Sequence, residues 1–280
     1  MVAVPAFRVF RGPDGLADTF GPTVLAFGKF DGVHLGHRAL LERAAAAGRR
    51  LGLPHGAATF ERHPYAFLRG GPVPPVLTGL GEKLRLFREA GACFVVLFPA
   101  DASVLGVPAE GFARDVLRSR MNVRLVVVGA NFRFGRGGAG GVVTLRRLTA
   151  TTGLDGVEVG MTTAGGEAIS ATRIRSRLGV GDVGGAEEML GRPHEVLGRT
   201  NARDGRTATV LVPVTRAVPA AGRYSGSVAS GRLGEERKPA LVTVHTPEDG
   251  PHRLQLEVPS GAPDHGPVRV LFGSRSSCGS

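Results

Sequence analysis

Tryptophan is absent from this chain of 280 residues and tyrosine occurs only twice, so nearly all of its aromatic surface comes from fourteen phenylalanines. Two cysteines are too few for a disulfide framework. Cys93 lies in the apolar run Cys93-Phe94-Val95-Val96-Leu97-Phe98 and reads as a buried strand residue; Cys278 stands in the tail, and no bridge between them is expected. No apolar run approaches the roughly 20 residues that span a bilayer, which excludes a transmembrane helix. The N-terminus lacks the basic-then-apolar pattern of a secretory signal, so a cytoplasmic protein is expected, with no membrane partner. Lysine is scarce as well, with three residues against thirty-two arginines, a bias that reads as genomic base composition rather than recognition.

The formal net charge of +11 raises the question of nucleic acid. The excess is spread, +7 over 1–195 (24 basic less 17 acidic) and +4 over 196–280 (11 less 7), with no basic tail. Few aromatics interleave with the arginines, so no nucleic-acid partner is expected. A binder of small polyanions gains equally from positive potential. The oligomeric state is not legible in the sequence.

From residue 23 to about 190, short β-branched runs alternate with helical stretches. Strands are expected at 23–28, 55–60, 93–98, 124–129 and 156–161, and helices at 35–50, 79–90, 109–120, 142–151, 171–178 and 183–190. That alternation predicts an α/β fold with a mostly parallel sheet, whose ligands bind beyond the carboxyl ends of the strands. After Gly191-Arg192-Pro193 the texture turns to Gly, Pro, Ser and Arg, with short strand-like pieces at 207–214, 223–229, 240–245, 252–258 and 267–272. A small all-β barrel or sandwich is expected there, with a boundary near 191 and a frayed end from 273 to 280.

The most informative stretch is Gly28-Lys29-Phe30-Asp31-Gly32-Val33-His34-Leu35-Gly36-His37. It follows a strand and opens a helix, so its glycines let backbone approach a ligand while the first-turn amides point at the same place. His34 and His37 are three apart and share one face of that turn. Two imidazoles beside free amides make a receptacle for nucleotide phosphates. A two-histidine zinc site is the rival chemistry, but the sequence offers no compelling third ligand, and no resident metal is expected.

This stretch resembles the H-x-G-H signature of nucleotidyltransferases. In its longer form, G-x-F-D-G-V-H-x-G-H, it is most similar to the bacterial FAD synthetases, bifunctional riboflavin kinase/FMN adenylyltransferases. Three further segments resemble that family's pattern in the same order. Thr59-Phe60-Glu61-Arg62-His63-Pro64 is similar to T-F-x-P-H-P, with Arg62 where a proline is common. Val126-Val127-Val128-Gly129-Ala130-Asn131-Phe132-Arg133-Phe134-Gly135 is similar to the run v-v-G-x-[DN]-F-x-F-G. The glycine-rich loop that follows ends on Gly141, where the family usually has Asp. Ile169-Ser170-Ala171-Thr172-Arg173-Ile174-Arg175 is similar to I-S-S-T-x-[IV]-R, with Ala171 in place of the second Ser. From the residues alone, that last piece is equally a plain amphipathic helix capped by Ser170.

The resemblance implies a Rossmann-like nucleotidyltransferase domain over 1–190 and a riboflavin-kinase-like β domain over 191–280. It implies transfer of AMP from ATP to FMN, giving FAD and pyrophosphate, with Mg²⁺ arriving on the nucleotide. His34, His37 and Arg175 are then the expected catalytic residues. Gly28, Phe30, Asp31, Gly36, Asn131, Ser170 and Thr172 are expected around the nucleotide, and Phe60, His63 and Phe132 around the flavin. The kinase module is expected to be degenerate, because Gly205-Arg206-Thr207 is followed by no P-T-A-N and His252-Arg253-Leu254-Gln255-Leu256-Glu257 lacks a matching glutamate. CTP or another phosphorylated acceptor, or a flavin- or nucleotide-binding regulator without turnover, remain open alternatives.

Overall fold

The computed structural model describes residues 7–65, 72–230, 236–247, 250–261 and 265–275; Cys278 lies outside them. By proximity of its Cα atoms the chain divides into two compact units, one of Met1–Val73 with Leu80–Thr162 and one of Pro74–Gly79 with Thr163–Ser280. The change of texture near 191 lies within the second of these units.

The first unit is a six-stranded, wholly parallel sheet in the order β1-β4-β3-β2-β5-β6. Its strands are β1 Arg8–Arg11, β2 Thr23–Phe27, β3 His55–Phe60, β4 Phe94–Phe98, β5 Val123–Gly129 and β6 Asp155–Val159. The helices are α1 Leu16–Phe20, α2 Leu35–Leu51, α3 Leu80–Glu89, α4 Ala102–Leu105, α5 Ala109–Gly111 and α6 Val142–Thr152. The helix expected at 109–120 continues past α5 as a π-helical stretch, Phe112–Arg120, whose wider turn closes with the Met121 amide on the Val116 carbonyl.

Every residue of β2 is buried because both sheet faces are covered. Val24 and Ala26 point to one face, where Leu40, Leu41, Ala44 and Ala47 of α2 meet Leu86 and Phe87 of α3. Leu25 and Phe27 point to the other, where Phe112, Leu117 and Met121 pack with Leu145 of α6. α2 ends where the chain demands it: Gly52 adopts φ 65, a left-handed cap that glycine takes without strain, and Arg49 and Arg50 stand at the negative end of the helix dipole.

The second unit opens with a hairpin, β7 Thr163–Ala164 and β8 Glu167–Ala168, followed by α7 Ala171–Gly179 and α8 Val183–Leu190. Six strands then close an antiparallel barrel in the order β10-β13-β12-β11-β14-β9. They are β9 His194–Asp204, β10 Thr207–Val212, β11 Gly222–Ser230, β12 Lys238–His245, β13 His252–Glu257 and β14 Pro267–Arg275. α8 packs on β14 and β9, and Val76 bridges Arg216, which draws both segments into this unit. Alternation fills the interior with Ala208, Val210 and Val212, with Val242 and Val244, with Leu254 and Leu256, and with Val268, Val270 and Phe272.

β9 went unforeseen because its inward alternation is interrupted and Gly198 sits in its middle. That glycine is required: a Cβ there would lie 2.4 Å from Cγ1 of Val210. The end expected to fray from 273 is strand as far as Arg275, held by the Ser225 hydroxyl donating to the Ser274 carbonyl at 3.1 Å; 276–280 lie outside the described residues.

Candidate active site

The sheet order fixes where a ligand goes. From β2 the chain crosses to β3 on one side, and it later returns to place β5 on the other. The crevice beyond the carboxyl ends of β2 and β5 is thus the topological switch point, the position where open α/β sheets bind ligands. Gly28 follows β2 there, and Ala130-Asn131 follows β5.

The loop from Gly28 to His34 makes a sharp turn. Gly32 adopts φ 85, Phe30 φ 50 and Val33 φ 39, the last two left-handed without being glycine. Such strain persists where the surroundings fix it. Here Phe30 and Val33 are fully buried against the α2–α3 face of the sheet, and Phe30 meets Phe87 edge-on with ring centroids 5.0 Å apart.

His34 is the N-cap of α2, and its Nδ1 accepts the His37 amide at 3.3 Å. A neutral ring accepting at Nδ1 carries its proton on Nε2, which makes His34 a donor. The two imidazoles stack, with centroids 3.6 Å apart and planes 17° from parallel. Gly36 makes this possible, since a Cβ there would stand 3.3 Å from both Cε1 and Nδ1 of His34. His37 is held well below the ordinary imidazole pKa, first by burial, then by His34, Lys83 and Lys29, so it works as a neutral ring. Its Nδ1 is buried without a hydrogen-bond partner among the described residues.

Two expected nucleotide contacts turn out to be interior. Phe30 is fully buried between Phe87 and the His37 ring, where its side chain supports the histidine. Asp31 is also buried, and its carboxylate lies in the field of Lys83 on α3. Burial lowers the Lys83 ammonium to about 8, with Asp31 pulling the other way. Lys83 Nζ donates to the Lys29 carbonyl at 3.0 Å, and the Thr59 hydroxyl donates to the same oxygen at 2.9 Å. The exit of β2 is thereby pinned from α3 and from β3. Lys29, Thr59 and Lys83 were not among the expected site residues.

Beside this loop is a cavity of about 410 Å³ lined by Phe27, Gly28, Lys29, Phe60, His63 and Tyr65, and by the segment from Asn131 to Gly135. Its walls are aromatic: Phe27 and Phe132 lie 5.2 Å apart, and Phe132 stacks on Phe134 at 5.6 Å and 20°. Such a space receives a flat aromatic ligand. The structure brings Phe60, His63, Asn131 and Phe132 to this cavity together. His63 Nδ1 accepts the Tyr65 amide at 3.2 Å, and the Asn131 amide nitrogen lies 3.8 Å from the Met161 sulfur. At Gly141, where a carboxylate was expected from the resemblance, a Cβ would lie 2.9 Å from Nη1 of Arg133, another lining residue.

Ser170, Thr172 and Arg175 belong to the second unit, at the start of α7. Ser170 caps that helix, its hydroxyl accepting the Arg173 amide at 3.2 Å. Thr172 is exposed and Arg175 half-buried. The neighbouring arginines are engaged: Arg177 bonds both Asp182, at 2.9 Å, and Glu167, at 3.0 Å. Among the described residues no three of His, Cys, Asp or Glu gather to hold a metal ion, and no helix is long and apolar enough to cross a membrane.

A helix tip with two neutral imidazoles, at the switch point of a parallel sheet and next to an aromatic cavity, defines a nucleotidyltransferase. Comparison with known proteins narrows the class. The FAD synthetase family matches residues 17–173, a little over half of the chain. The bifunctional riboflavin kinase/FMN adenylyltransferase of Escherichia coli (strain K12) is 36% identical over 242 residues, which cover 84% of this chain and 77% of that protein. The protein of the same description from Haemophilus influenzae is 27% identical over 247 residues, covering 84% and 80%. A solved structure described as a macrolide-efflux protein from Streptococcus pneumoniae superposes with a TM-score of 0.81 at 22% identity, over 97% of this chain and 91% of that one, a likeness of fold alone. The chain belongs to the FAD synthetase family.

Proposed function

We propose that this protein is an FMN adenylyltransferase, making FAD and pyrophosphate from FMN and ATP, and that its barrel carries no riboflavin kinase activity. The observation that carries the first part is the stacked His34–His37 pair on the tip of α2, next to the aromatic cavity. In this reading an FMN phosphate oxygen attacks the α-phosphorus of ATP in line. The new P–O bond forms as the bond to the bridging oxygen breaks, and pyrophosphate leaves with that electron pair. The nucleophile is already anionic, so no general base is needed, and catalysis rests on positioning and charge stabilisation.

His34 donates from Nε2 to a phosphate oxygen, and the α2 amides add their dipole. Neutral imidazoles suit this task, because they donate without trading protons with the substrate. Asn131 meets the nucleotide with a donor and an acceptor and no negative charge. Phe60, His63 and Phe132 hold the isoalloxazine. For Thr172 and Arg175 the support is the resemblance of their segment to I-S-S-T-x-[IV]-R, which assigns them to the triphosphate, with Arg175 offsetting the leaving-group charge. Mg²⁺ accompanies the nucleotide as part of the substrate.

Absence of kinase chemistry is supported by the β9–β10 turn. Gly205-Arg206 leads straight into β10, and Asp204 already pairs with Thr207, so only two residues join the strands. Glu257, at the end of β13, lies 3.5 Å from Arg223 in an exposed ion pair. No observation favours CTP, another acceptor or a silent regulator.

The test supplies FMN with ATP or CTP, and separately riboflavin with ATP, while pyrophosphate, FAD and FMN are quantified. FAD and pyrophosphate from FMN plus ATP, with no FMN from riboflavin, is the expected result. His34→Ala is expected to lose about two to three decades in kcat/KM. A His34→Ala enzyme of native rate removes the histidine from the reaction, and FMN made from riboflavin removes the claim about the barrel.

A further inference from the structure

Two of the chain's three lysines, Lys29 and Lys83, meet at the exit of β2. In a sequence this rich in arginine, a position needing only positive charge would carry a guanidinium. A retained lysine marks a place for a compact ammonium on a flexible stem. Lys83 has a structural task, holding the Lys29 carbonyl together with Thr59. The Lys29 side chain does not share it. It is exposed, it lines the aromatic cavity, and no hydrogen bond or ion pair engages its ammonium among the described residues. Its charge nonetheless reaches His37, where it adds to the depression of that imidazole. Lys29 therefore stands between the flavin cavity and the helix tip, with its main chain fixed and its ammonium free.

We propose that Lys29 selects the phosphorylated flavin, binding the phosphate of FMN at the mouth of the cavity and presenting it to the nucleotide on the α2 tip. The proposal rests on the FMN adenylyltransferase reading and adds to it a residue that discriminates between FMN and riboflavin. The aromatic walls grip the ring system common to both flavins, so preference between them has to come from a group that meets the phosphate. Lys29 is the lysine among the cavity-lining residues, and Arg133 is already turned back on the Phe132 carbonyl at 3.1 Å.

Flavin fluorescence quenching without nucleotide measures this directly. The native protein is expected to bind FMN about 10- to 100-fold more tightly than riboflavin, the range of one charge-assisted hydrogen bond. Lys29→Met should bring the ratio close to one by weakening FMN alone, and Lys29→Arg should restore part of it. Unchanged riboflavin affinity and melting temperature in Lys29→Met show that the cavity is intact; a structural role for Lys29 would weaken both flavins together. A Lys29→Met protein that keeps the FMN preference overturns the proposal and leaves the adenylyltransferase reading in place. Native protein that binds both flavins equally overturns it too. Native protein that binds neither flavin overturns the flavin reading of the cavity itself.

Discussion

Gly36→Ala separates catalytic geometry from stability, because the two move in opposite directions. The new Cβ would sit 3.3 Å from Cε1 and Nδ1 of His34, tighter than an ordinary carbon contact of 3.5–4.0 Å. The ring must retreat by roughly 0.3 Å to restore normal contact. The room is limited, because the ring already stacks on His37 at 3.6 Å and accepts that residue's amide at 3.3 Å. A displacement of 1 Å at a reacting group costs about 100-fold, so roughly 0.3 Å predicts a loss of about fourfold in kcat/KM. Stability should hold or rise, since alanine is favoured over glycine within a helix by up to about 1 kcal/mol. Steady-state pyrophosphate release and thermal melting read the two effects separately. Native kinetics in Gly36→Ala, or a rate loss that tracks a fall in melting temperature, would refute the account of why glycine stands between these histidines.

Burial lowers Lys83 to about 8, so above that pH it loses the charge that faces Asp31 and strengthens its hold on the Lys29 carbonyl, and kcat/KM should fall as pH rises through that value. Lys83→Met should lose that alkaline limb and lower the plateau at neutral pH; a limb near pH 8 that survives in the variant belongs to another group. His37 is depressed in the folded protein and ordinary once unfolded, so below about pH 6.5 the unfolded chain binds the extra proton. Stability is therefore complete above that value and declines as pH falls, by at most about 1.4 kcal/mol per pH unit for this one proton. Urea midpoints at pH 7.5 and 5.5 for native protein and His37→Gln measure it, and identical pH dependence in the two would dismiss the assignment.

The tip of α2 was readable because its chemistry and its backbone needs lie in ten consecutive residues. The parallel strands were readable because β2, β4 and β5 are near-continuous apolar runs of the length that doubly covered strands require. β1 escaped notice because four residues with an arginine at each end carry no hydrophobic pattern. The burial of Phe30 and Asp31 was not readable, since nothing in their spacing shows that the left-handed turn folds both inward. Lys83 went unnoticed for another reason. It comes from α3, more than fifty residues beyond Lys29, and only the packing of that helix brings its ammonium to the carbonyl it holds.

The tight β9–β10 hairpin bears on how this barrel can change in future. With Asp204 and Thr207 already facing each other across the ladder, exchanging side chains cannot lengthen the crossing. A longer phosphate-gripping crossing would have to arrive as inserted codons. The hairpin tip is solvent-exposed, a location where proteins accept such additions with little penalty. Grafting a loop there is accordingly the direct engineering route to a longer crossing, and point mutagenesis of the barrel is not.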